Sequence, residues 1–225
     1  MRLWTRCVAI SKTTRTSRDQ HRSAYEPDPR SVAGASRGWW HRMSDSTTVA
    51  AMDSGWTNTT HDWSAVVDRG HLDAVRASAM AFAPSGTLHL LHEVLAYVAD
   101  EAEACGMAAA PCEVIWCADG SFSVRDFGRG TDTRRDVSGA SIRKPVMATK
   151  DLRFFDNPST QTLPNGAARR GMSIVAALSE WLVHENRRLD GAWHQRYERG
   201  IPVTDLIEMP SDTATGTVVP FPPRT

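Results

Sequence analysis

The segment Cys112–Gly130, CEVIWCADGSFSVRDFGRG, spells out a strand, a tight turn and a return strand that ends on an aspartate. Val114 and Trp116 alternate with Ile115 and Cys117, Asp119-Gly120 offers the positive-φ pair of a two-residue hairpin turn, and Phe122, Val124 and Asp126 continue on the way back. Asp126-Phe127-Gly128-Arg129-Gly130 then closes the strand. An aspartate followed by glycine-spaced backbone suits the floor of a nucleotide pocket, because glycine lets main chain approach a ligand closely. Alone, D-x-G-x-G is a weak signal, since a glycine after a strand is more often an ordinary turn.

Upstream, Leu88–Gly106 (LHLLHEVLAYVADEAEACG) has helical periodicity. Leu91, Val94, Leu95, Val98, Ala102 and Cys105 recur every three or four residues as one apolar stripe, which puts Glu93, Tyr97, Asp100 and Ala104 on the opposite face. Downstream, Met172, Val175, Ala176 and Ser179 mark another helix and Trp181–Asn186 a strand. Asp190-Gly191 turns into a strand over Trp193–Arg199, and Thr217–Phe221 supplies a further one. Together these elements predict an α+β sandwich, one mixed β-sheet covered on one face by helices.

A chain of 225 residues can bury one sizeable core. Its 26 basic and 26 acidic residues cancel, so it lacks the basic bias that holds nucleic acid by phosphate neutralisation, and direct DNA binding by this chain alone is not expected. No run is apolar enough to span a membrane. Cys7, Cys105, Cys112 and Cys117 form no C-x-x-C pair and no metal-ligand spacing, which fits a reduced, cytoplasmic setting. Residues 1–70 carry Ser/Thr/Arg/Asp clusters and isolated tryptophans (Trp39, Trp40, Trp56, Trp63) without a sustained period, and are expected to be an irregular extension ahead of a domain at 71–225. The Arg-, Ser- and Thr-rich first residues suit an organelle transit peptide, a disordered tail, or sequence upstream of a start at Met43.

With GMSIVAALS (Gly171–Ser179), DGAWHQRYERGIPV (Asp190–Val203) and ATGTVVPFPP (Ala214–Pro223), the hairpin and the Leu88 helix fall in the order and spacing of a known family. From about Val75 to Pro223 the chain resembles the N-terminal ATPase domain of the DNA gyrase and topoisomerase IV B subunits, members of the gyrase, Hsp90, histidine kinase and MutL superfamily. The resemblance implies a Bergerat-type fold and an ATP site. The family continues into a second domain that sends a lysine to the γ-phosphate and then into DNA-gate regions, so the resemblance is to a divergent and truncated member, and strand passage by this chain alone is not expected.

The resemblance also implies residue roles. Asp126 would accept the adenine amine, Gly128 and Gly130 would permit close approach, and the Thr217 hydroxyl would support the aspartate. Glu93 matches the general base that polarises the attacking water, with an ordinary helix-face carboxylate as the equally weighted alternative. Four residues on, the family's Mg²⁺-ligating Asn is Tyr97, a neutral, rigid phenol that suits a hard cation poorly and could instead fill the pocket or stack on adenine. The glycine-rich phosphate lid is replaced by Asn165-Gly166-Ala167-Ala168-Arg169-Arg170-Gly171-Met172-Ser173, keeping Gly166 and Gly171. Arg169 and Arg170 could bind phosphate by charge or lie on the surface. Lys144-Pro145-Val146-Met147 leads into the lid, and Leu152-Arg153-Phe154-Phe155-Asp156 replaces its hinge glycines.

His89, His92 and Glu93 could be imagined around zinc, but the H-E-x-x-H order and a third distant ligand are missing, and a structural role for His89 is preferred. Ser173 and Ser179 have no evident catalytic partners in the sequence. The expected function is therefore ATP binding with hydrolysis weak or lost and no metal site of the protein's own. The alternative is a non-catalytic pseudo-ATPase module that acts on a topoisomerase partner or another protein.

Overall fold

In the computed structural model, described residues are 10–13, 61, 67–107, 111–131, 145–155, 161–210 and 213–222. Cys7, Trp39, Trp40, Trp56, Trp63, Met43, Lys144 and Asp156, which figure in the sequence reading, lie outside them. The strands are β1 (Ile10–Thr13), β2 (Cys112–Cys117), β3 (Phe122–Asp126), β4 (Trp181–Arg188), β5 (Gly191–Glu198), β6 (Ile201–Pro202), β7 (Ile207–Met209) and β8 (Gly216–Phe221). The helices are α1 (Arg69–Ala77), α2 (Ala79–Phe82), α3 (Thr87–Ala104), α4 (Leu152–Phe155) and α5 (Met172–Leu178), with a 3-10 turn at Pro145–Met147.

One mixed sheet runs β1-β2-β3-β8-β4-β5-β6, and β7 pairs with the start of β5. Only β1 and β2 are parallel, with Ile10 opposite Val114, and the other neighbours are antiparallel. The strand at Ile10–Thr13 falls inside the stretch read as irregular, and four residues are too few to show a period. The β2–β3 pair carries Cys112 opposite Asp126 and Trp116 opposite Phe122, so the tight two-residue turn at Asp119-Gly120 is replaced by a wider loop. Only Gly120 takes a positive φ (83°), and Asp119 turns its carboxylate onto the Ser121 N–H and hydroxyl instead. A longer loop with one left-handed glycine has the twist this hairpin needs.

β4 and β5 are longer than expected and turn at Leu189-Asp190, because Arg188 already pairs with Gly191. Another two-residue turn follows at Arg199-Gly200, where both residues have positive φ (49° and 84°) and Glu198 pairs with Ile201. That is the mirror-image turn that matches the right-handed twist of strands.

The core forms where α1, α3 and α5 lie on the sheet. Leu72, Val75, Leu90, Val94, Val98 and Ala102 meet Val124, Leu182, Tyr197, Val219 and Phe221, and all of these are buried. α5, MSIVAAL, is buried at every position, as expected of a short helix that is apolar all round and sits between other elements. α3 is also enclosed on more than its apolar stripe. Glu93, predicted on the solvent side, is 1% exposed, because the segment entering α5 packs against that face.

Candidate nucleotide site

α3 is the spine of the site. It starts after Gly86 (φ 53°) and ends at Gly106 (φ 65°), where Met107 N–H reaches the Ala102 carbonyl and Gly106 N–H that of Glu103, the glycine-dependent stop common at helix C-termini. From Glu93 to Glu101 it rises about 12 Å. Candidate residues gather at the two ends of this strip.

At the Glu101 end stands Asp126, the last residue of β3 and 4% exposed. Its Oδ1 accepts the Gly128 N–H at 2.8 Å, and its Oδ2 accepts the Thr217 N–H at 3.1 Å together with the Thr217 hydroxyl. β3 and β8 are sheet neighbours, so Thr217 reaches Asp126 across the ladder. Gly216 makes room for this (φ 114°), since a Cβ there would sit 2.2 Å from the Asp126 carbonyl oxygen.

The glycines after Asp126 are close-packed against the protein itself. A Cβ on Gly128 would lie 2.5 Å from Glu101 Cγ, and one on Gly130 (φ 76°) 2.4 Å from the Arg187 carbonyl oxygen. Between them Arg129 grips Glu101 with its main-chain N–H (2.8 Å), Nε (2.9 Å) and a terminal nitrogen (3.1 Å). Burial pushes the Glu101 carboxyl up, but the hydrogen bonds from Arg129 outweigh it and hold the group below the usual carboxylate range. Thr131, next along, is clamped by buried Asn186 on β4, whose side chain accepts the Thr131 N–H and donates to its carbonyl at 3.0 Å.

At the other end the Glu93 carboxylate accepts the main-chain N–H groups of Arg170 (2.6 Å) and Gly171 (2.8 Å). His89 Nε2, 0% exposed, lies 3.3 Å from Glu93 Oε1. Gly171 takes φ 91°, which carries the chain into α5. Arg169 is buried and binds Asp100 through both terminal nitrogens (2.8 and 2.7 Å), stacked 4.4 Å over Phe154. Arg170 lies 5.1 Å over Phe155 and donates to the Phe154 carbonyl. Neither arginine is simply a surface charge, and both are already engaged with the protein.

Tyr97 stands between the two ends, half-buried against the core cluster. Burial pushes its phenol above the ordinary value, although the Thr131 side chain opposes this, so the group stays neutral near pH 7. The cavity beside Asp126, lined by Val98, Glu101, Ala102, Met107 and Gly128 among others, measures about 10 Å³. Asp126 and Thr217 have the chemistry to hold an adenine amine, while this arrangement of the chain leaves room for about one water.

Ser173, 1% exposed, does have a histidine partner: His71 Nε2 lies 2.9 Å from its hydroxyl. Enclosure keeps that oxygen from any substrate, so the pair reads as packing polarity between α1 and α5. Among the described residues no group of three or more His, Cys, Asp or Glu side chains could hold a metal ion, and no helix is long and apolar enough to cross a membrane.

This geometry can be set beside known proteins. The chain is 31% identical over 172 residues to the chloroplastic/mitochondrial DNA gyrase B protein of Nicotiana benthamiana, 34% over 147 residues to the DNA gyrase B protein of Synechocystis, and 33% over 142 residues to that of Thermotoga maritima. These matches cover 73%, 63% and 61% of this chain. The chain carries a gyrase B ATPase-like domain.

A solved structure of the topoisomerase IV ATP-binding domain of Francisella tularensis, in complex with a small-molecule inhibitor, superimposes with a TM-score of 0.53 at 26% identity, over 68% of this chain and 41% of that one. The gyrase B-like chain spans 23%, 13% and 22% of the three curated relatives. No family model matches it.

Within the gyrase B-like domain, the structure brings Asp126, Gly128 and Thr217 together at one end of α3, and Glu93 with Gly171 at the other, with Tyr97 between. Sequence reasoning missed Glu101, Asn186 and Asp100, which fix Arg129, Thr131 and Arg169. Their partners are 28, 55 and 69 residues away, so no local spacing betrays them.

Proposed function

We propose that this domain binds an adenine nucleotide along α3, with the base at Asp126 and Thr217 and the phosphates toward Arg170 and Gly171, and that it hydrolyses ATP slowly or not at all. The observation that carries the proposal is the Asp126 carboxylate, buried at a strand end and oriented by Thr217 and Gly128, within a gyrase B-like domain. Asp126, Thr217, Gly128 and Gly130 form the base end, and Glu93, Tyr97 and Gly171 the phosphate end.

Two features argue for weak turnover. Tyr97 presents a neutral phenol where the family places its Mg²⁺-ligating amide, and Mg²⁺ prefers small oxygen donors at near-octahedral positions. The glycines that would cradle phosphate are replaced at Ala167-Ala168-Arg169-Arg170, and both arginines are already engaged, Arg169 with Asp100 and Arg170 with the Phe154 carbonyl. Each lost source of transition-state stabilisation is worth about 2–4 kcal/mol, so two together slow turnover on the order of a thousandfold or more. The second reading, a pseudo-ATPase module that docks on a topoisomerase partner or another protein in the cytoplasm, is favoured by the small cavity beside Asp126.

Thermal unfolding with ATP, ADP and a non-hydrolysable analogue, with and without Mg²⁺, separates the two. A ligand at a hundred times its Kd adds about 2.7 kcal/mol. The expected result is a nucleotide-dependent rise in Tm that disappears in Asp126→Asn and is indifferent to Mg²⁺. No shift at millimolar nucleotide would remove nucleotide binding and leave the docking module.

A further inference from the structure

A second cavity, of about 440 Å³, opens between the C-terminal end of α1 and the β5–β6 turn. Along β4, Trp181 in its wall lies roughly 17 Å from Asn186, the partner of Thr217, so this cavity is remote from the Asp126 site. Its volume falls in the range of about 300–1,000 Å³ usual for small-molecule sites. The walls are held in place by the protein. Arg76, paired with Asp73, donates to the Arg199 carbonyl, and the Arg199 N–H donates to the Glu180 carbonyl at 3.2 Å. The Arg196 guanidinium lies 5.4 Å over the Trp181 ring and 3.4 Å from Glu198, while its main-chain N–H reaches the Thr204 hydroxyl. Ile201, opposite Glu198, completes the apolar side with Trp181.

Two of the charges that line this cavity are left over. Asp73 pairs with Arg76 and Glu198 with Arg196, whereas the Arg199 guanidinium and the Glu180 carboxylate have no partner among the described residues, not even each other. They stand side by side, one step beyond the Trp181–Glu198 pair. Arg199 is also the only side-chain-bearing residue among those described that takes a positive φ (49°), a conformation disfavoured for any residue with a Cβ. We propose that this cavity binds a free α-amino acid with a flat apolar side chain: its carboxylate meets Arg199, its ammonium Glu180, and its side chain Trp181 and Ile201. The planar guanidinium fork matches a carboxylate, and a zwitterion satisfies two adjacent charges of opposite sign. A simple anion would leave Glu180 facing it unpaired, and a doubly charged phosphate would be repelled more strongly. The site stands or falls independently of the nucleotide reading.

The test is heteronuclear NMR of the full chain titrated with L-phenylalanine, L-phenylalaninamide and N-acetyl-L-phenylalanine. Phenylalanine is expected to give saturable shifts at the Trp181 indole N–H and the Arg199 and Ile201 amides, with a Kd on the order of a millimolar, while the Thr217 amide stays put. The amide lacks the carboxylate and the acetyl form lacks the ammonium, so each is expected to bind about tenfold more weakly. Arg199→Asn, which suits the positive φ, and Glu180→Gln are each expected to weaken phenylalanine by a similar factor, with thermal unfolding to show that both fold. The three-ligand comparison needs no variant. If the acetyl form binds as tightly as phenylalanine, Glu180 takes no part, and if the amide does, Arg199 takes none; either result overturns the proposal. It is overturned equally if phenylalanine leaves the Trp181 signal unmoved up to its solubility limit, or if the shifts centre on Thr217.

Discussion

Gly216 shows how little slack the Asp126 site has. The atom an alanine would add meets the Asp126 carbonyl oxygen at 2.2 Å, and the neighbour is main chain, so no rotamer change relieves the contact. The φ of 114° is also one that side-chain-bearing residues rarely adopt. Gly216→Ala is expected to cost on the order of 3 kcal/mol or more, read as a lower urea midpoint. Thr217→Ser keeps both donors to Asp126 and should cost under about 1 kcal/mol, whereas Thr217→Val removes the hydroxyl donor and should cost about 1–3 kcal/mol. Equal midpoints for the serine and valine forms would mean that the hydroxyl does not orient the carboxylate.

Turns and helix faces carry the next level of specificity, and the β5–β6 turn supplies two substitutions of opposite sign. Gly200 has φ 84°, and a Cβ there would press against Leu72 Cδ2 at 2.7 Å, on a fully buried residue of α1. Gly200→Ala is expected to destabilise by about 2 kcal/mol, combining backbone strain with displacement of the leucine. Arg199, at φ 49°, is a poor residue for the first position of this turn, and Arg199→Asn should stabilise by about 0.5–1 kcal/mol while its carbonyl keeps the bond from Arg76. Chemical denaturation of both variants checks the pair, and a loss of stability in Arg199→Asn would contradict the mirror-image turn. Such turns also mark what could be read in advance. Alternation of apolar residues located β2 and β3, and the Asp190-Gly191 turn signal located β4 and β5, but an Arg-Gly turn carries no compositional signal. The α3 stripe correctly found Val94, Val98 and Ala102, yet periodicity describes one buried face only. Glu93 is buried by the segment entering α5, whose approach to α3 depends on contacts 77 and 78 residues apart. Asp126, Gly128 and Thr217 stand out in the sequence and are in contact in the fold, whereas Glu101, Asp100 and Asn186 look like ordinary polar positions until the fold supplies their partners.

For the molecule as a whole, the histidines set a direction for stability against pH. His61 sits at 6% exposure against Thr149, His71 is wedged against Ser173 and Phe155, and His92 lies on α3 beside His89. Burial is the largest influence on all three and lowers each below the ordinary histidine value of 6.5. Asp151 opposes it at His61 and Asp68 at His71, while at His92 the neighbouring His89 adds to the lowering and Glu93 opposes it. The folded chain thus resists protons that the unfolded chain accepts near pH 6.5. Their contribution is fully present above that pH and is lost as pH falls through it toward the lowered folded values. Each such histidine can contribute a slope of up to about 1.36 kcal/mol per pH unit within its window. Tm is therefore expected to fall between about pH 7.5 and about pH 5.5. His71→Gln should be less stable at both values, having lost a well-packed ring, but should show a shallower decline because one of the groups that drives it is gone. An undiminished decline in His71→Gln would show that His71 does not titrate differently in the folded and unfolded chains, and that the packing between α1 and α5 exerts no such hold on its proton.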